Sequence, residues 1–307
     1  MKYLRLLESL FAAAMLIGCG NGSSSAASSE AGSYNLTSLK NKYGAFSIQV
    51  ATSGVGSYTY DEANNVYTLA VASTKAEYIF SGFFDGAIVV ENSSGMASYK
   101  GVKITLTDAC LAHSGNRPTI DYTLEDKNVE IKSQGGTYNY VLNLGSNVAI
   151  YSGNNIEFSG KGDLELASTG KDCHTVRASA DVYVYSAPSI TVPISAHDAF
   201  HGNHLYFYEK DDVSNLYTGT MKISNVVSQA FDFETSGGNG SINVNSGKIY
   251  VDNADSVFKT DSLLTIGSPA SVIATNIISE PYVQGDNSSG LKTSFLGIFT
   301  VDGKEVS

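Results

Sequence analysis

Beyond its first twenty residues the chain has no apolar run of about eighteen residues, so no segment of the body is long enough to cross a membrane as a helix. It has no tryptophan, only five prolines among 307 residues, and no stretch with convincing helical periodicity. The Ser/His/Asp, P-loop and dinucleotide-binding patterns are missing, which removes the enzyme classes that rest on them. Basic residues are scarce: 19 Lys and Arg face 30 Asp and Glu, for a formal net charge of −11. Such a surface repels nucleic acid and attracts cations.

The amino terminus reads as a targeting segment. Lys2 and Arg5 precede the short apolar run Leu10 to Ile17, and Leu16-Ile17-Gly18-Cys19 closes it. That ending resembles a bacterial lipobox, which implies a signal peptide over residues 1–18 and a lipidated Cys19 at the mature terminus. Residues 19–33, rich in Ser, Ala and Gly, then form a flexible tether. The expected location is the outer membrane or cell surface of an exporting bacterium, with lipid as the sole membrane attachment. Cys110 and Cys173 remain, and an exported compartment permits a disulfide between them.

The body consists of strand-sized alternating segments separated by Gly, Asn and Asp turns, such as Val102 to Leu106, Val182 to Tyr185 and Lys248 to Val251. A turn followed by a small-residue step recurs at Asp172, Asp198, Gln229 and Asp255, with a period of roughly 25 to 30 residues that marks a solenoid or propeller. At about 25 residues and 4.8 Å per coil, some 220 residues make a rod of about eight coils and about 40 Å. The expected fold is all-β: a parallel β-helix over residues 61–276, with residues 34–60 as an N-terminal cover and 277–307 as a C-terminal cover or tail. A β-sandwich is the alternative, and uneven spacing argues against a propeller.

The order of Asn65-Val66-Tyr67-Thr68, Glu77 through Val90, Ala149-Ile150-Tyr151-Ser152, Ile156 through Leu164 and His197-Asp198-Ala199-Phe200 resembles the bacterial carbohydrate-binding-domain proteins that form right-handed parallel β-helices. The resemblance implies a surface protein that binds polysaccharide, acidic sugars included, on a fold shared with pectate lyases. It also implies calcium held by carboxylates near the coil steps. The amide that the family prefers before the Asp of each step is replaced here, by Lys171 and His197 among others.

Several residues are candidates for the chemistry. If coils stack in register at Asp172, Asp198 and Asp255, a carboxylate row forms that a calcium ion would suit; otherwise each Asp bonds its own turn. His197, His201 and His204 cluster in sequence, with His174 one coil earlier, and imidazoles beside Asp198 are ligands for zinc or copper; the alternative is exposed turn histidines. Tyrosine faces stack on sugar rings; Tyr183, Tyr185, Tyr206, Tyr208 and Tyr217 fall on adjoining expected strands, and alternation puts Tyr206 and Tyr208 on one face, a ladder either for a glycan or for the solenoid itself. Arg177 is a further sugar contact and, in a polysaccharide lyase, the candidate base; a salt bridge is its plainer role. A glycan-binding protein without cleavage is thus the leading expectation, a calcium-dependent lyase the second, and an adhesin or structural surface protein the third.

Overall fold

The computed structural model describes residues 34–51, 55–92, 95–186, 188–209 and 212–307; Cys19, the signal segment and the tether lie outside the described residues. Parallel strands stack into a β-solenoid of about eight turns, which excludes the sandwich. Each coil contributes one strand to each of three faces. The first face is a separate sheet running from Val66–Ala70 through Ile120–Tyr122, Val176–Ala178 and Phe200–Gly202 to Tyr282–Gln284. The second passes through Val129–Ser133, Val182–Val184 and His204–Tyr206, and the third through Tyr138–Asn143, Thr220–Ser224 and Lys248–Ala254. In the first coils the long strands Ala76–Asp85 and Val102–His113 bend across both of these faces, joining them into one sheet.

Alternation decides what fills the interior. On the first face Ile88, Ile120, Ile150, Val176, Phe200, Phe231, Phe258 and Tyr282 stand in one inward column, and all but Tyr282 are fully buried. Phe231 stacks on Phe200 at 5.6 Å and on Phe258 at 5.4 Å, the offset geometry that aromatic pairs favour. The second and third faces send in Val182, Leu205, Ile242, Met221 and Ile249. A parallel sheet reads as nearly continuous apolar strands where both of its faces are buried; here most outward positions are polar, so the strands alternate.

Corners between faces are tight. At the turn between the second and third faces Gly160 has φ near +100°, and a Cβ there would stand 1.9 Å from the Ser133 carbonyl of the preceding coil. Only glycine accepts both conditions. At one corner the coil lengthens: Tyr208–Glu209 and Asp212–Leu216 form an antiparallel hairpin that leaves the stack between the second and third faces.

At the amino-terminal end the helix Leu36–Tyr43 is capped by the Asn35 side chain, which accepts from the Ser38 amide at 2.9 Å. Leu36 and Leu39 pack over Ala112, Leu142 and Ala167 on the flank of the third face, and Tyr34 donates to Glu165 at 2.8 Å. Ser47–Val50 then pairs antiparallel with Ala76–Asp85. The carboxy-terminal segment departs from the expectation of a cover. Residues 277–307 extend the solenoid, because Tyr282–Gln284, Lys292–Phe295 and Ile298–Val301 each pair in parallel with a strand of the preceding coil. Tyr282, Phe295 and Phe299 supply the apolar positions that packing onto that coil requires, and Lys304–Glu305 folds back antiparallel to finish the sheet.

Candidate functional site

Register, not sequence spacing, decides which step residues meet. Val176 pairs with Phe200, so His174 lies opposite Asp198 while Asp172 falls outside the ladder, exposed on a turn with φ near +57° and 4.0 Å from Lys171. Asp255 is displaced as well: Gln229 pairs with Ser256, and the Asp255 carboxylate accepts from Ser279 Oγ at 2.6 Å. The expected row of Asp172, Asp198 and Asp255 therefore does not form, and these three carboxylates converge on no common cation position. A turn residue added or lost at a corner is enough to offset them.

Asp198 gathers histidines instead. It is fully buried, and its Oδ2 lies 2.9 Å from His197 Nδ1, 3.0 Å from His174 Nδ1 and 3.7 Å from His201 Nδ1. Its Oδ1 accepts from the Gln229 amide at 2.9 Å. His174 and His201 rings stack at 4.4 Å, and His201 reaches Asp232 of the next coil at 3.5 Å. Burial alone would push Asp198 upward, but the three imidazoles set around its carboxylate outweigh that and hold it far below the usual carboxylate range. Burial likewise opposes protonation of His201, yet Asp198 and Asp232 raise it to about 9, while burial leaves His174 lowered. His204 stands elsewhere, on the second face, with Nδ1 2.9 Å from Ser241 Oγ; Asp232, which no sequence motif marks, takes its place in the cluster.

The aromatic and arginine candidates divide between faces. Tyr183 and Tyr206 do stack, at 5.1 Å and 12°, on the outward side of the second face. Tyr183 is 5% exposed, with its hydroxyl bonded to Asp181 at 2.9 Å, so little of its ring remains for a sugar. Tyr185 is half-buried and donates to Glu157 at 3.2 Å, and the side chain of Tyr208 lies outside the described residues. Arg177 is exposed on the first face, between Tyr151 and His201 in register. It stands on a different face from Tyr183 and Tyr206. Cys110 is buried, Cys173 is half-buried at the corner before the first face, and both are free thiols.

The third face carries a feature that sequence spacing did not single out. Tyr138, Asp163, Ser189, Thr191, Thr220, Lys222, Lys248 and Tyr250 line an open groove of about 740 Å³. They belong to two outward columns of consecutive coils, since Tyr138 pairs with Asp163, Asp163 with Ser189, Thr220 with Lys248, and Thr191, Lys222 and Tyr250 follow one another. A smaller hollow of about 190 Å³ continues it past Tyr250 to Asp252, Ile273 and Thr275. Lys75, Lys103, Lys127, Lys171 and Lys259 form ion pairs, whereas Lys222 and Lys248 have none among the described residues. The signal was present in sequence as Lys and Tyr at outward parity, but only the register puts them in one groove.

A stacked parallel solenoid with polar, aromatic-edged grooves along its axis is a scaffold for extended ligands. A family model described as carbohydrate-binding domain-containing protein matches residues 63–298, and the chain belongs to that family. No curated protein and no solved structure matches it.

Proposed function

We propose that the protein holds a polysaccharide along the third face, with the chain running parallel to the solenoid axis from Tyr138 to Tyr250. The observation that carries this reading is the alignment of two tyrosines and the unpaired Lys222 and Lys248 in one open groove. Coils repeat at about 4.8 Å, close to the length of one pyranose unit, so each sugar would meet an equivalent pair of outward side chains. Tyr250, 37% exposed, offers a ring face for the sugar C–H groups; Ser189, Thr191 and Thr220 offer hydroxyls. Two lysines without carboxylate partners, on a chain of net charge −11, favour an acidic glycan. In this reading the protein retains its ligand without cleaving it, and lipid on Cys19 holds it at the surface of an exporting bacterium. Affinity electrophoresis against polygalacturonate and neutral glucans tests the reading: retardation by the acidic polymer that Lys222→Glu and Lys248→Glu abolish supports it, and equal mobility of all three proteins overturns it. Release of unsaturated uronate, followed by its absorbance, would overturn the non-cleaving part.

A further inference from the structure

The corner that precedes the first face holds ligand-type atoms that glycan binding on the third face does not use. His174, His197 and Asp198 place one such atom each within 4.8 Å of one another, and Asp198, His201 and Asp232 do the same. Asp198 belongs to both groups. Zinc bound at about 2.0–2.1 Å in a tetrahedron has its ligand atoms about 3.4 Å apart, and the three Nδ1 atoms stand 2.9, 3.0 and 3.7 Å from Asp198 Oδ2. A small cation would fit among them with little movement.

A second observation is independent of those distances. His174 Nδ1, His201 Nδ1 and Asp232 Oδ1 are buried atoms without a hydrogen-bond partner, although buried polar atoms are ordinarily satisfied. Asp232 is 5% exposed. A carboxylate oxygen offers two lone pairs, yet Asp198 Oδ2 faces three nitrogens, so hydrogen bonding alone leaves the cluster incomplete. We propose that this corner binds a divalent transition metal of the zinc class through His174 Nδ1, His197 Nδ1 and Asp198 Oδ2, with His201 and Asp232 alongside to complete or buttress the shell. Imidazole nitrogens suit zinc, copper and nickel, whereas calcium takes oxygen ligands. His197, with 38% of its side chain exposed, leaves a path for the ion. The metal would fasten three coils together, since His174, Asp198 and Asp232 come from consecutive ones.

The test uses protein purified without a polyhistidine tag, stripped with chelator and dialysed against zinc, with bound metal measured by mass spectrometry. One equivalent per chain is expected, and cobalt in its place should give the visible bands of a tetrahedral site. His174→Ala and His197→Gln should each weaken binding by more than about a hundredfold and Asp232→Asn by about tenfold, the range over which outer partners of metal sites act; His204→Ala should bind as wild type. His197→Gln alters the most exposed ligand and serves if His174→Ala does not fold. No uptake by the wild-type protein, or equal uptake by His197→Gln, would overturn the proposal.

Discussion

The ring of Tyr183 lies flat against that of Tyr206 one coil on, 5.1 Å away and only 12° from parallel. With Tyr183 only 5% exposed, the pair serves the stack of coils. Tyr206→Ala should therefore lower stability by about 0.5–1.5 kcal/mol beyond the lost buried area and leave glycan retention unchanged. Denaturant unfolding and affinity electrophoresis on the same sample check both halves; lost retention by a fully folded Tyr206→Ala would move the glycan to the second face.

Tyr250 is expected to behave in the opposite way. Its ring is exposed on the third face, so Tyr250→Ala should cost little stability while weakening polysaccharide binding by about 0.5–1.5 kcal/mol, on the scale of an aromatic pair. Calorimetric titration with an oligosaccharide reads this directly, and an unchanged affinity would argue against the groove.

Phe231 is the centre of the inward aromatic column, fully buried between Phe200 and Phe258. Phe231→Ala should destabilise the protein by about 3–5 kcal/mol, as large-to-small core changes do. Because each coil rests on its neighbours, hydrogen exchange should show the loss concentrated in the coils on either side of Phe231. Uniform loss along the rod would mean that the solenoid unfolds as one unit.

Acid should act through Glu130. Burial pushes its carboxyl upward, but the hydrogen bond and charge of Lys75, with help from Ser159 and Lys103, hold it below its ordinary 4.5. A folded-state value below the unfolded one gives stability that is complete above about pH 4.5 and is lost as pH falls through the folded value. Glu130→Gln should make that acid limb shallower, with Asp198 carrying much of the rest, and leave the neutral-to-alkaline profile alone. An acid profile identical to wild type, measured by thermal melting across pH, would remove Glu130 from the account.

How much was legible beforehand follows from what alternation and register can each say. Inward residues such as Val182, Leu205 and Ile249 were readable, because period two assigns a face without knowledge of the neighbouring strand. Partners across coils were not. The interval from Asp172 to Asp198 matched the repeat length, yet the ladder pairs Val176 with Phe200, and a shift at one corner carries Asp172 off the column. Asp232 carries no signal in the sequence for the same reason: its neighbour His201 lies one coil back across the coil lengthened by the hairpin. For Tyr183 and Tyr206, parity says which side a ring faces and not which ring it meets or how much of it a neighbour covers. Lys222, Lys248 and Tyr250 look like ordinary surface residues until three strands are set side by side.

The hairpin of Tyr208–Glu209 and Asp212–Leu216 leaves the rod at a corner, and the coils on either side still pair, Tyr183 with Tyr206 before it and Ile190 with Met221 across it. A corner that already accommodates an excursion without loss of registry is a port for cargo. A fluorescent or catalytic module spliced into that loop should ride on the solenoid with both rows of the third-face groove still aligned, turning a glycan-holding rod into a reporter for the polymer on which it rests.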